Sequence, residues 1–456
     1  MELPLVQRDR SPRYMTSAEY YALTVRPIYR SCPAYAKGRE PPGYLDTLKQ
    51  KDPEIIFDPS KLHTREDWIR AGKLVFESDT SFRPAPAAQP ASDQTTWAVA
   101  PDGTLPSYVP GFRYYIRKKG VLEVGSNSCA GCHTRMLADG SLFEGGQGTP
   151  NSPLPRSEAA IRAIRELTPD EFQARLDRLW TSFGAPWVMS KEEFEKSLTK
   201  DEYVQIVSAM PQSVFARQGT SITHPARVPS LIGIVDIKYL DATGLVRNRG
   251  IGDIMRYAIL NEGLDTLARY GDFQPSPGPT AFSAEQGTRY SDEQLYALAL
   301  YIESLRPPPN PNKFDALAQH GQEIFKSEGC PTCHTPPLYT NNKLNPVHGF
   351  KVPDDLRKTD AIMNTTVGTD PTLALETRRG TGFYKVPSLR GLWYRAGYGH
   401  GGQAATLEEW FDPARLDDSY VPKGFHTGPG PIAGHEKGLD LTPQEKSDLI
   451  AFLKTL

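Results

Sequence analysis

Four of the five cysteines in this chain of 456 residues fall in two copies of one pattern, Cys129-Ala130-Gly131-Cys132-His133 and Cys330-Pro331-Thr332-Cys333-His334. Two thiols three positions apart on one helical turn reach the two vinyl groups of a haem, and the histidine that follows turns its imidazole onto the iron. One short segment both tethers the group and ligates it. A redox C-x-x-C needs no following histidine, and the cysteine pairs of a zinc ribbon lie far closer together than these two motifs do. The implied cofactors are two covalently bound haem c groups, attached at Cys129, Cys132, Cys330 and Cys333, with His133 and His334 as the first iron ligands. A calcium ion is carried as a further candidate cofactor. Cys32, in Ser31-Cys32-Pro33, is left over and reads as a free thiol.

An iron bound on both faces moves electrons, whereas one with a vacant face can bind peroxide or dioxygen, so function turns on the sixth ligands. After Cys330 the only methionine is Met363, while histidines stand at His348, His400, His426 and His435. Bis-histidine ligation is therefore the expectation for the second iron, with Met363 as the rival. After the first motif the candidates are Met136, Met189, Met210, Met255 and His224. Met136 is too near His133 to cross the ring, and Met255 sits in an amphipathic stretch where methionine is more often core than ligand. The expectation is an open or weakly ligated first iron. Asp241, Arg247, Asn248 and Arg249, in the segment YLDATGLVRNR, are candidates for lining its distal side; the competing reading is a solvated loop.

These groups must be positioned by something, and three other short elements recur with the motifs. A Gly-x-x-aliphatic-Phe run precedes each: Gly72 to Phe76 and Gly321 to Phe325. Val228-Pro229-Ser230-Leu231 and Val386-Pro387-Ser388-Leu389 follow them. Each half then closes with a helix signal, Ser291-Asp292-Glu293-Gln294 leading to Leu305 and Thr442-Pro443-Gln444-Glu445 leading to Leu456. Leu449, Ile450, Phe452, Leu453 and Leu456 fall on one face of the last. The run Arg306-Pro307-Pro308-Pro309 cannot continue a helix and marks a boundary. The predicted fold is all-α: two duplicated class I cytochrome c-like domains with large loop-rich insertions. An N-terminal arm covers residues 1–60, the first domain 61–306 and the second 307–456. Insertions in the first half read as two helices between Ser157 and Phe183, broken at Thr168-Pro169-Asp170, and a Pro-rich loop from Phe82 to Phe112.

Composition sets the surroundings. Hydrophobic residues make up 38% and charged residues 23%, with 38 glycines and 41 prolines, which describes a loop-rich globular chain rather than a disordered one. A formal charge of -2 gives no reason to expect nucleic acid as a partner, and no apolar run is long enough to span a membrane. The first thirty residues lack the basic start and apolar stretch of a secretory signal, although covalent haem attachment belongs to extracytoplasmic compartments. The expectation is a mature form, periplasmic or secreted.

Val386-Pro387-Ser388-Leu389-Arg390-Gly391, then His400-Gly401-Gly402, then Ala405-Thr406-Leu407-Glu408-Glu409 resemble the bacterial di-haem cytochrome c peroxidase and MauG superfamily, from about residue 60 to the end. The position where that family places a Met or Tyr sixth ligand falls here near Ala414, which cannot ligate. This departure and the wide motif spacing look more like the rubber-oxygenase branch, and Gly434-His435-Glu436-Lys437-Gly438-Leu439-Asp440 resembles that branch's ligand segment. The resemblance implies His334 and His435 on the second, electron-transfer haem and His133 alone on the first, reactive haem. It implies hydrogen bonding or packing for His400. It also implies an oxidoreductase that activates hydrogen peroxide or dioxygen at the first haem, with a small cytochrome c or cupredoxin as partner if peroxidase-like. The alternatives are a rubber-oxygenase-like dioxygenase cleaving an unsaturated hydrocarbon or lipid, and an electron-transfer cytochrome with both irons six-coordinate through His224 or Met255.

Overall fold

The computed structural model describes residues 3–35, 40–85, 108–137, 139, 141–148, 158–211, 213–216, 219–261, 267–275 and 287–456. Its framework is a helix crossing that occurs twice. The helix Arg65–Glu77 packs across Asp292–Ser304, and Ala316–Ser327 packs across Pro443–Lys454. Each crossing buries the apolar stripe that the sequence spaces at helical period: Ala71, Val75 and Phe76 against Leu298 and Ile302, and Ala318, Ile324 and Phe325 against Leu449 and Phe452. The repeated glycine explains the intimacy of both contacts. A Cβ at Gly72 would lie 1.9 Å from the carbonyl oxygen of Ala297, and one at Gly321 would lie 1.9 Å from that of Asp448. The closing helices start on capping boxes, Ser291 with Gln294 and Thr442 with Glu445, which satisfy otherwise orphaned N–H groups.

The fold is not all-α. Helix accounts for 38% and strand for 15%, so the chain is mixed α and β and the sequence expectation is corrected. The largest sheet has four antiparallel strands in the order Ser31–Tyr35, Tyr108–Lys118, Val121–Ser126, Ser81–Pro84. Alternate residues Tyr114, Ile116, Leu122 and Val124 cover one face and close over Ala34 and Leu48 as a separate small core. On the other face Tyr115 meets Phe82 edge-on. The hairpin turns at Lys119-Gly120, where Gly120 takes a positive φ of 81°. This sheet is built from the N-terminal arm and from the stretch between the helix Arg65–Glu77 and the first C-x-x-C-H motif, outside the helical framework whose repeats suggested an all-helical chain. Of the Pro-rich stretch from Phe82 to Phe112, residues 86–107 lie outside the described residues.

The arm makes strand contacts along its length. Pro12–Arg13 pairs with Arg269–Tyr270, and Thr24–Val25 runs parallel to Thr288–Arg289. The other insertion forms helices Glu158–Arg165 and Pro169–Phe183, the second capped by Thr168, and these pack with Lys200–Ala209 around Leu176, Val204 and Val207. Buried Arg378 donates to the carbonyl oxygens of Thr181 and Ser182, tying the end of the insertion helix to the second half of the chain. Among the described residues no helix is long and apolar enough to cross a membrane.

Gly72→Ala or Gly321→Ala forces two backbones apart and should destabilise the protein by about 1–3 kcal/mol. Gly252→Ala, in the helix Ile251–Asn261 with nothing within 4 Å of the added carbon, should be neutral or stabilising by up to about 1 kcal/mol. Thermal unfolding of the three variants side by side measures the contrast.

Candidate functional site: two cavities that share a wall

Each C-x-x-C-H motif lines a cavity, and the repeated Val-Pro-Ser-Leu element helps to set its histidine. His133 Nδ1 lies 3.1 Å from the carbonyl oxygen of Pro229. His334 Nδ1 lies 3.2 Å from that of Tyr339, and the backbone of Pro387, the counterpart of Pro229, is also in hydrogen-bond contact with this ring. A carbonyl can only accept, so Nδ1 carries the proton and Nε2 keeps its lone pair for a metal. Burial, followed by the nearby His435, pushes His334 down to about 4, which keeps the ring in the neutral, ligating form.

The second cavity, of about 250 Å³, is lined by Cys330, Cys333 and His334, with His435 and Met363 also in its wall. The His334 and His435 rings are 6.2 Å apart. Two imidazoles on opposite faces of one iron would stand roughly 6.4 Å apart, from a metal–nitrogen bond of ~2.0 Å and the ring size, so this pair can share a metal. His435 occupies the left-handed region at φ +50°, and its N–H donates to Val367 O at 2.7 Å. Arg415, fully buried, holds the loop: its guanidinium donates to the carbonyl oxygens of Gly434 at 2.9 Å, His435 at 3.0 Å and Ile432. Met363 Sδ accepts from Asn345 Nδ2 at 3.6 Å. His400 stacks on Tyr384 at 3.4 Å with Nε2 2.9 Å from Thr369 Oγ1, His348 is exposed, and His426 lines a neighbouring cleft.

The first cavity, of about 530 Å³, holds Cys129, Cys132 and His133 in its wall. Ser128 Oγ accepts from Gly131 N and caps the short helix Cys129–Cys132. Among the described residues of this lining His133 is the only histidine or methionine. His224 instead lines the cleft beside His400, and Met255 packs on the main apolar core. The insertion helix Pro169–Phe183 gives the cavity Arg175, Leu179, Ser182 and Phe183.

The residues expected to line the distal side are dispersed. Arg247 is paired with Asp360 at 2.6 Å, and Asn248 Nδ2 donates to the carbonyl oxygens of Ile234 and Ile237, bracing a turn; neither lines the first cavity. Arg249 pairs with Asp253 at 2.9 Å. Asp241 lines the second cavity, where it meets Arg379 and Tyr257. Sequence reasoning passed over Arg415, next to the Ala414 position it had inspected, and Tyr257, whose helix reads simply as amphipathic. Cys32 sits in the sheet beside Tyr114, its thiol pushed up by burial. Among the described residues no three His, Cys, Asp or Glu side chains cluster as a metal site.

The residues present fit a haem. Arg227 and Arg395 line the second cavity, and neither has a carboxylate partner among the described residues: Arg227 donates to Gly397 O at 2.7 Å and Arg395 to Ser388 O at 2.8 Å. Arg395 Nε is buried without a partner, and burial followed by the neighbouring guanidinium of Arg395 pushes Arg227 down to about 10. Half-buried cations with no carboxylate partner among the described residues suit an anion, which the propionates of a haem would supply.

Beside the first motif, Asp79 is 2% exposed, contacts the hydroxyls of Tyr115 and Ser128, and has one carboxylate oxygen with no partner. Burial pushes this carboxyl up to about 7 from an unfolded value of 3.8. Its contribution to stability is whole below the unfolded value and is lost as pH rises through about 7. Asp79→Asn should therefore gain in unfolding midpoint relative to wild type between pH 5 and pH 8 in the holoprotein; equal shifts at both pH values would contradict the assignment.

No family model matches the chain. Over 161 residues it is 30% identical to the cytochrome-c peroxidase IdrP1 of Denitromonas iodatirespirans, a match covering 31% of this chain and 40% of that relative. Two solved structures align at lower identity. A MauG-like protein associated with microbial copper homeostasis matches at 20% identity and TM-score 0.31, over 64% of this chain and 91% of that one. A variant of the diheme peroxidase BthA from Burkholderia thailandensis matches at 14% and TM-score 0.29, over 94% and 93%. TM-scores of this size do not define a shared fold. The resemblance to the di-haem cytochrome c peroxidase and MauG superfamily that the motifs carry is borne out by the sequence shared with a cytochrome-c peroxidase.

Proposed function

We propose that the chain is a periplasmic di-haem oxidoreductase that reduces hydrogen peroxide to water, taking two electrons and two protons per peroxide, with a small cytochrome c or cupredoxin as electron donor. Residues 61–306 and 307–456 form the two haem domains in this reading, and residues 1–60 are an arm laid over them. Cys129 and Cys132 would attach one haem c and His133 would ligate its iron; Cys330 and Cys333 would attach the other, with His334 and His435 as ligands. Bound there, the haems would supply the reduction of the oxidant and the storage and passage of electrons.

The observation that carries the reading is the asymmetry between the cavities: a second imidazole faces His334 at 6.2 Å, while the first cavity's described lining offers His133 alone. Each part of the chain has a task. Pro229 O keeps the proton of His133 on Nδ1. Arg415 holds the His435 loop from behind, while Arg227 and Arg395 give a buried anion its counter-charge. The insertion helix Pro169–Phe183 forms part of the first cavity's wall.

Holoprotein carrying two haems per chain should oxidise a reduced small cytochrome c only when hydrogen peroxide is added. His435→Ala should keep both haems by pyridine haemochrome assay yet lose that activity by more than roughly tenfold. Arg415→Lys should fall in the same direction by less. Dioxygen uptake in the presence of an unsaturated hydrocarbon, with no peroxide-dependent oxidation of cytochrome, would overturn the peroxidase reading.

A further inference from the structure

The two cavities would receive the same cofactor, yet the first has about twice the volume of the second. One wall of the larger cavity is the insertion helix Pro169–Phe183, which gives it Arg175, Arg178, Leu179, Ser182 and Phe183. These positions recur at helical spacing and so form one face, about 12 Å long at the usual rise per residue. The face is graded along its length, with guanidiniums at one end and Leu179 and Phe183 continuing it as an apolar strip. Leu176, elsewhere on the helix, is buried in the insertion's own core. Arg175 is half-buried and is held by a neutral group: its Nη2 donates to the Tyr203 hydroxyl at 2.5 Å, its guanidinium lies 4.8 Å from the centre of that ring, and its Nε is buried without a partner. Asp177, between the two arginines in sequence, pairs with Lys191 at 2.8 Å. Arg26 and Arg227 also line this cavity, and its described lining contains no Asp or Glu.

A haem brings two carboxylates, so even with Arg227 shared between the cavities this wall carries more positive charge than the cofactor offsets. Hydrogen peroxide is small and neutral and uses neither the room nor the charge. Spare volume, an apolar strip and guanidiniums at one end together match a molecule with an apolar body and an anionic end. Deepening the peroxidase reading above, and resting on it, we propose that the first cavity takes an organic hydroperoxide of the fatty-acid class, with its carboxylate at Arg175 and Arg178 and its chain along Leu179 and Phe183. The reaction is a two-electron reduction in which the O–O bond breaks. One oxygen stays on carbon as an alcohol and the other leaves as water. The two electrons come from the small cytochrome c or cupredoxin and the two protons from solvent. Arg178 is exposed, so its share of the attraction for the carboxylate is screened by salt.

The test compares two hydroperoxides that differ in charge but not in chain, that of linoleic acid and its methyl ester, each below its micelle-forming concentration. Both are assayed beside hydrogen peroxide as oxidants of a reduced small cytochrome c in the presence of the two-haem holoprotein. The acid should exceed the ester in kcat/KM by about tenfold or more, a ratio that falls with added salt and approaches one in Arg178→Glu and in the double variant Arg175→Gln, Arg178→Gln. Arg178→Glu alters an exposed side chain and keeps the test open should the double variant not fold. Calorimetric titration of the resting holoprotein with linoleate should show one site per chain, weakened about tenfold or more by Arg178→Glu. Turnover of hydrogen peroxide with acid and ester used equally, or with neither used, would overturn the substrate assignment and leave the peroxidase reading standing, as would linoleate binding that Arg178→Glu does not change. No oxidation of cytochrome by any of the three would overturn the reading and the assignment with it. A changed haem content or resting haem spectrum in Arg178→Glu would give the arginine to the cofactor's propionates and also overturn the assignment.

Discussion

A histidine offered to a metal must be neutral and must present one particular nitrogen, and in a buried site that condition is met by giving the other nitrogen's proton to a fixed acceptor. Here the acceptors are backbone carbonyls beside each motif, Pro229 for His133 and, for His334, Tyr339 with the backbone of Pro387 in contact. Much of the structure holds those carbonyls in register with the C-x-x-C-H turns. The close helix crossings at Gly72 and Gly321 fix the framework on which each motif and its Val-Pro-Ser-Leu loop are hung. A proline supplies a carbonyl without an N–H of its own, so the loop gives an acceptor and adds no buried donor to satisfy.

On this repeated scaffold the two halves diverge in what faces the first histidine. In the second half a loop in unusual backbone geometry carries His435 across from His334, held by Arg415 through three carbonyl oxygens. In the first half the corresponding space is walled by the insertion helix and by Tyr257. Arg227 and Arg395, half-buried and without carboxylate partners among the described residues, both line the second cavity, and Arg227 lines the first as well. Tyr257, like Arg227, lines both cavities.

What could be read in the sequence was whatever local chemistry forces into a short pattern. Thiol spacing and a Ser or Thr cap three residues before Glu or Gln act over a few residues, and the Gly-x-x-aliphatic-Phe and Val-Pro-Ser-Leu runs show as repeats although the contacts they make are distant in sequence. The sheet left no comparable mark, because Ser31–Tyr35 finds its partner in Tyr108–Lys118, a long way along the chain, and neither strand is part of the duplication. Arg247 and Asn248 have residue types suited to a distal pocket, but Asp360 and the Ile234–Ile237 turn use them structurally. Asp241 is engaged by Arg379 and Tyr257 in the second cavity's wall rather than the first's. Such choices are made by tertiary neighbours, which spacing does not encode. His435 was singled out by its resemblance to a known ligand segment; Arg415, which shapes its loop, carried no signal of its own.

In the proposed reading His334 and His435 would both ligate the haem iron bound at Cys330 and Cys333, and His133 alone would ligate the one bound at Cys129 and Cys132. Low-temperature electron paramagnetic resonance of the oxidised holoprotein reports the two irons separately. The expected spectrum has a high-spin ferric signal from the haem at Cys129 and Cys132 beside a low-spin signal of bis-histidine character from the other. Two low-spin signals, with neither altered by His435→Ala, would contradict it.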